Sequence, residues 1–247
     1  MPPHLQIFKI LFKERYKDPT LQLMLPVMLA GYVFVPAFLE KGQFLDYAIV
    51  IAYIPIISLP ETIALSLALR NIIFVLGDHL TSGSIVSFLM MPIKRSMFFL
   101  MSYVLDVVLP YLFWLVSNYF YLADIEYINA LTNLLSLTYT AGYFFSTSVI
   151  LFYTLLLRSN GASTLASLFT LGSIFIIGGF GNYALVSTDP HLLAVTSFMN
   201  PYPLLLYYSF TQRQNIIPFL FTGIMIDFVS AIVLAIISFL MFIRLEV

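Results

Sequence analysis

The stretch GDHLTSGSIVSFLMMPIKR, from Gly77 to Arg95, separates two long apolar segments, residues 44–76 and 96–122. A connection between two membrane helices needs only a few polar residues, and this one has 19 residues. The whole chain is 61% hydrophobic and 9% charged, whereas about a quarter of the residues of a soluble domain are charged. Because a lipid-facing helix excludes charge along about 20 residues, the composition predicts an integral membrane protein with several spans.

The connection itself has the spacing of a short helix, predicted over residues 78–92. Thr81 or Ser82 can cap its start. Three apolar residues then recur at i, i+3 and i+4: Ile85, Phe88 and Leu89. Pro92 and two basic residues end the segment at the membrane surface. A short helix with one apolar face needs either a protein partner or the lipid surface to cover it.

Six apolar segments are long enough to cross a bilayer, which predicts an all-α membrane protein of one transmembrane domain, 1–247. The predicted spans are residues 21–39, 44–76, 96–122, 131–157, 163–187 and 216–243. Residues 190–212 are uncharged but contain Asn200 and Pro201, so we expect outer re-entrant helices there rather than a straight span.

An amphipathic helix is predicted before the first span, at residues 4–17. Its apolar face carries Leu5, Phe8 and Phe12, and its basic face carries Lys9, Lys13 and Lys17. Such a helix lies at the membrane interface. Most basic residues fall on the side of the two termini: Lys9, Lys13, Arg15, Lys17, Lys94, Arg95, Arg158 and Arg244, against Lys41 and Arg213. This bias predicts a multi-pass protein of the cytoplasmic (plasma) membrane with both termini in the cytoplasm. The segment between the second and third spans is then cytoplasmic too.

Several functional classes lack a signal in the sequence. Cysteine is absent, the histidines are scattered, and no Ser-His-Asp set can be placed at one depth, so neither a metal site nor catalytic residues are predicted. No basic stripe suits nucleic acid. No GxxxxGK[ST] loop is present, so the chain is not expected to bind ATP itself.

Four ionisable residues lie well within predicted spans: Glu61, Arg70, Asp106 and Asp227. Each is costly in lipid unless it is paired or hydrated. Counting residues from the connecting segment puts Arg70 and Asp106 at similar depth, which predicts an ion pair between them; a gating or substrate role is the alternative. For Glu61 and Asp227 a structural role and a functional one both stay open.

The order of these features resembles the membrane subunit of a type-2 ATP-binding-cassette (ABC) exporter. In that family a long second span leads to an acidic residue, a glycine, a leucine-rich short helix, a proline and a basic residue, and these places are held here by Asp78, Gly83, Leu89, Pro92 and Arg95. The N-terminal FKILFKERYKDPTLQLMLPVML is similar to the family's elbow helix. The segment PHLLAVTSFMNPYPLLLYYSF resembles its re-entrant helices. Where family members carry basic residues before the glycine, this chain has HLT at 79–81.

The resemblance implies that residues 78–92 form a coupling helix seated in a groove of a separate cytoplasmic ATPase. The contact residues it implies are Asp78, Gly83, Ile85, Phe88, Leu89, Pro92 and Arg95. Two ATPase copies, which would hold ATP and Mg, drive two permease subunits, identical or related, with the substrate path lined by the second and fifth spans. The alternative is an intramembrane enzyme using Glu61, Asp106 and Asp227, or a non-catalytic subunit of a larger membrane complex.

Overall fold

The computed structural model describes residues 3–17, 61–91, 93–124, 128–185 and 216–245, and in these ranges the only regular structure is helical. The helices are α1 (Pro3–Tyr16), α2 (Glu61–Thr81), α3 (Ile85–Leu89), α4 (Arg95–Tyr103, Val104–Val108 and Leu109–Asp124 in one continuous run), α5 (Ala130–Leu157), α6 (Asn160–Leu185) and α7 (Ile217–Ile243).

Five of these helices are long and apolar enough to cross a membrane: α2, the Arg95–Phe120 part of α4, α5, the Asn160–Gly181 part of α6, and α7. The helix α2 coincides with the end of the second predicted span, and the other four helices coincide with the third to sixth predicted spans. The all-helical class is therefore confirmed for the described residues. The first predicted span, the re-entrant segment with Asn200 and Pro201, and Pro92 lie outside them.

The core of the bundle is built around α5, which packs most extensively against α7 and next against α6. Aromatic rings fill the space between α4 and α5: the Trp114 and Tyr139 ring centroids lie 4.2 Å apart, and Tyr111 and Tyr143 lie 5.5 Å apart. The Tyr143 hydroxyl donates to the carbonyl of Val107 at 2.8 Å. This hydrogen bond gives the phenol hydroxyl a partner while the ring of Tyr143 stays buried, as an apolar interior requires.

Hydroxyl side chains occur along α5, and several donate back to the carbonyl four residues earlier. Examples are Thr147 to Tyr143 at 2.9 Å and Thr154 to Ile150 at 2.8 Å. Such bonds let Ser and Thr sit in an apolar helix without an unsatisfied donor. The helix begins with a capping box between Asn129 and Thr132 and ends at Arg158, whose φ of 49° is left-handed.

Two helices contain wider π-helical turns, at Arg70–Leu76 in α2 and Val104–Val108 in α4. The two turns pack against each other. π-Turns in long helices frequently mark functional sites, and here both bring a polar side chain, Asn71 and Asp106, into the interior. The C-terminal turn of α1 meets them at the same level, and Glu14 of α1 also reaches His79 in the last turn of α2. We call the end of the bundle where α2 ends and α4 begins the α1 end.

Candidate functional site

A buried polar cluster joins α1 to the two π-turns. We call it the polar junction; it consists of Arg15, Tyr16, Arg70, Asn71 and Asp106. Arg15 and Tyr16 belong to the last turn of α1, Arg70 and Asn71 open the π-turn of α2, and Asp106 lies in the π-turn of α4. Three helices distant in the chain therefore meet through side-chain hydrogen bonds.

The centre of the junction is an ion pair between Arg15 and Asp106. Arg15 Nε donates to Asp106 Oδ1, and Arg15 Nη2 donates to Oδ2 at 3.2 Å. The two residues are 1% and 2% exposed, so the pair is shielded from solvent. Burial alone would lower the pKa of Arg15, but the Asp106 carboxylate outweighs it and raises that pKa, which keeps the guanidinium charged.

The prediction of an ion pair between Arg70 and Asp106 is therefore wrong, because Asp106 pairs with Arg15 instead. Arg70 does reach the junction, as the depth argument expected, but its Nη1 donates to the carbonyl of Arg15 at 3.0 Å and to Asn71 Oδ1 at 3.4 Å. A cation at the C-terminal end of α1 is favourable because the last carbonyls of a helix carry negative partial charge.

The sequence contained a signal for Arg15. Ile7, Leu11 and Arg15 recur at i, i+4 and i+8, and all three are buried, so they form the inner face of α1. The predicted basic face of α1 consists of Lys9, Lys13 and Lys17, which are exposed, and it does not include Arg15. Leu5 and Phe12 of the predicted apolar face are exposed on the outside of the bundle, and the contact of this face with the membrane interface stays a prediction.

Tyr16 completes the junction. Its hydroxyl donates to the Leu105 carbonyl at 2.5 Å and accepts from Asn71 Nδ2 at 3.3 Å. The carbonyl belongs to the π-turn of α4, whose widened geometry leaves it free to accept from a side chain. Burial raises the pKa of Tyr16, so the phenol remains a neutral donor.

The connection between α2 and α4, residues 77–94, differs from the single predicted helix over 78–92. Its first part, Gly77–Thr81, continues α2. A turn follows in which Gly83 has a φ of +74°, a conformation that favours glycine, and then α3 begins. Neither predicted cap is used: the residue before α3 is Ser84, and the hydroxyls of Thr81 and Ser82 donate to the carbonyls of Gly77 and Asp78.

The apolar face of α3 packs against its own chain. Ile85 is buried, and the Phe88 ring lies 4.9 Å from the His79 ring and 5.5 Å from the Phe98 ring, measured between centroids. The face that stays open carries Ser82, Gly83, Ser87 and Met90, and Met90 is 80% exposed. Of the predicted contact residues, Gly83 lies on the open face, whereas Ile85 and Phe88 lie on the packed one.

The connection is fastened to the turn between α5 and α6. Asn160 Nδ2 donates to Asp78 Oδ1, and the Thr81 hydroxyl also lies 3.1 Å from the carbonyl of Arg158. Gly77 is closely packed here, because a Cβ at this position would come within 2.6 Å of Asn160 Oδ1. Asp78, another predicted contact residue, thus has an intramolecular partner.

Two further contacts fasten the connection to the start and the end of the described chain. His79 Nε2 donates to Glu14 Oε1 at 2.8 Å, and His79 Nδ1 lies 2.8 Å from the Ser84 hydroxyl. The hydrogen bond from His79 lowers the pKa of Glu14 below its usual value. Arg95, at the start of α4, donates to the carbonyls of Ile243 and Leu245 at 3.1 and 2.7 Å.

The remaining predicted intramembrane acids lie apart from the junction. Counting 1.5 Å per residue, Asp106 is about 16 Å along α4 from Arg95, Asp227 about 24 Å along α7 from Ile243, and Glu61 about 30 Å along α2 from Thr81. Asp227 is buried, and its Oδ2 has no hydrogen-bond partner in the described part of the chain. Within those same residues, no group of three His, Asp or Glu side chains is placed to hold a metal ion.

Comparison of the chain with protein-family models, with curated proteins and with solved structures gives no match in any of the three.

Proposed function

We propose that this chain is the membrane-spanning permease subunit of an ABC exporter, with both termini in the cytoplasm and a separate ATPase docked at the α1 end. The observation that carries the proposal is the open face of α3. A short helix lies between two spanning helices, its apolar side packs against its own chain, and its other side presents the exposed side chains of Ser87 and Met90. Such a face is available to a protein partner.

The contacts around α3 suit it for transmitting force. The connection bonds to α1 through His79 and Glu14, and to the α5–α6 turn through Asp78 and Asn160. The residue beside Glu14, Arg15, belongs to the polar junction. A displacement of α3 by a moving ATPase would therefore reach α1, α2 and α4 together rather than bend the connection alone.

In this proposal the chemistry of ATP hydrolysis belongs to the partner. Two ATPase copies would bind ATP and Mg and close on each other, and two permease subunits would rock against one another in response. The open face of α3 is uncharged, which agrees with a contact less charged than the one that the resemblance implies. Alternating access between the two permeases would export the substrate.

The exposed surface of α6 is the candidate for contact with a second permease or for part of the substrate path. Only 11% of its spanning segment is buried, compared with 56% for α5. Its outward side chains are large and apolar, among them Leu168, Phe169 and Phe180. A path lined by α2 and α6 would present an apolar surface to its substrate.

The alternative, an intramembrane enzyme built on Glu61, Asp106 and Asp227, requires at least two acids at one depth. By the count given above, Asp106 and Asp227 differ in depth by about 8 Å, and Asp227 and Glu61 differ by about 6 Å. Asp106 is also occupied by Arg15. These positions favour the permease over the intramembrane enzyme. The other alternative, a non-catalytic subunit of a larger membrane complex, would differ from a permease by lacking an ATPase partner.

The decisive test is Met90→Glu, which places a charge on the open face without touching the packed side of α3. The expected result is loss of the co-purifying ATPase and of coupled hydrolysis, while the variant inserts and elutes like the wild type. Met90→Leu is the matched control and should keep both. Phe88 is unsuitable for this purpose because its ring packs on Phe98. Normal ATPase recovery and normal coupled hydrolysis in Met90→Glu would overturn the proposal, as would purification without any Walker-motif ATPase.

A further inference from the structure

A groove of about 760 Å³ runs along the outside of the bundle between the first turns of α4 and the last turns of α7. Its walls are apolar, and they include Leu100, Tyr103, Ala231 and Ala235. Two aromatic rings define one side: the centroids of Phe99 and Phe239 lie 5.4 Å apart. None of these residues belongs to the polar junction or to the open face of α3.

The groove has one charged end. Lys94 lines it at the α1 end and is exposed. The helices are held together at this end by Arg95, which donates to the carbonyls of Ile243 and Leu245. Lys94 is therefore the charged residue of an otherwise apolar groove, and it lies at the end where the Arg95 hydrogen bonds hold α4 and α7 together.

The length of the groove matches one leaflet. From Lys94 to Tyr103 is about 14 Å along α4, and from Phe239 back to Phe228 is about 16 Å along α7. Half of the hydrocarbon core of a bilayer is about 15 Å thick. An acyl chain placed between the helices would thus reach from the membrane surface to the midplane.

We propose that this groove binds an anionic phospholipid of the leaflet at the α1 end. The acyl chain lies between α4 and α7, and the phosphate lies at Lys94. A lysine at the membrane surface attracts anionic headgroups, whereas a zwitterionic lipid would gain only the apolar contact. The charge at the mouth is what favours a lipid over a second copy of the chain, which would have to bury that lysine.

The test uses the purified full chain incubated with equal amounts of phosphatidylglycerol and phosphatidylcholine of the same acyl length, with retained lipid measured by native mass spectrometry. We expect one phosphatidylglycerol to be retained in preference to phosphatidylcholine by about fivefold, the size expected for one lysine near an anionic surface. Lys94→Gln should abolish the preference, and Lys94→Arg should keep it.

A second substitution tests the groove itself. Ala235→Trp fills it and should remove the retained lipid, whereas Val233→Trp, on the same helix but facing away from the groove, should not. Lys13→Gln, an exposed lysine on α1, controls for charge elsewhere. Equal retention of the two lipids by the wild type would overturn the proposal. A variant Ala235→Trp that dissociates a dimer but retains as much lipid as the wild type would also overturn it, because a second copy of the chain would then occupy the groove. If Ala235→Trp does not fold, the Lys94 pair of variants decides the outcome alone.

Discussion

Two neighbouring residues of α1, Glu14 and Arg15, each pair with a residue of a spanning helix, but in opposite surroundings. Arg15 is 1% exposed and bonds Asp106 through two nitrogens. The Glu14 side chain is 33% exposed and bonds His79 through one oxygen. These consecutive side chains leave α1 in different directions, so one makes an interior ion pair and the other a contact that solvent can reach.

The difference shows what each pair contributes. Taking two charges out of water is costly, so the Arg15–Asp106 pair need not add net stability, but losing one member leaves an uncompensated charge in the interior. The pair thus specifies that α1 docks against the π-turns of α2 and α4 and nowhere else. The Glu14–His79 contact gains little because water screens it.

The largest expected effect comes from Asp106→Asn. It leaves the buried guanidinium of Arg15 without its counter-charge and should lower the free energy of unfolding by about 3 to 5 kcal/mol, measured in mixed detergent micelles. Asp78→Asn is the matched control, because Asp78 is exposed and should change stability by well under about 1 kcal/mol.

The double variant Arg15→Met/Asp106→Leu removes both charges together. Replacing a buried pair by apolar residues is often neutral or stabilising, so it should recover most of the loss. Equal losses in the single and the double variant would mean that packing around these side chains, and not the unpaired charge, governs the stability of the junction.

The next effect in size concerns the hydroxyl that lies beside the ion pair. Tyr16→Phe keeps the ring but leaves the carbonyl of Leu105 and the amide of Asn71 without this partner, which should cost about 1 to 3 kcal/mol. Tyr153→Phe, whose hydroxyl bonds Thr170 in a less buried position, is the control and should lose less. A smaller loss at Tyr16 than at Tyr153 would contradict the buried role of Tyr16.

The helical class and four of the spanning segments could be predicted from apolar length alone, because a bilayer leaves a helix few alternatives. The partner of Asp106 could not, because residue counting compares depths only along adjacent spans, and Arg15 comes from a helix that precedes them. What covers the apolar face of α3 could not be predicted either. Ile85 and Phe88 mark an apolar face correctly, but a pattern in one helix does not say whether its own chain or a partner covers that face.

The smallest effect tests the exposed member of the comparison. Glu14→Gln should lower stability by less than about 1 kcal/mol at pH 7, because the pair is partly solvated. His79 lowers the pKa of Glu14 below its usual 4.5, so the stabilisation is complete above pH 4.5 and is lost as the pH falls through the lowered value. Thermal unfolding of the wild type and Glu14→Gln should therefore differ at pH 7 and converge in acid.

The His79→Ala background decides whether the pair is the cause. There, Glu14→Gln should have almost no effect at either pH, since the hydrogen bond that lowers the pKa is already gone. If the substitution costs as much without His79 as with it, Glu14 acts instead through its contact with Arg15, Oε2 to Nη1 at 3.2 Å. In that case Glu14 belongs with the buried pair rather than with His79, and α1 would not be coupled to the α3 connection through the His79 contact.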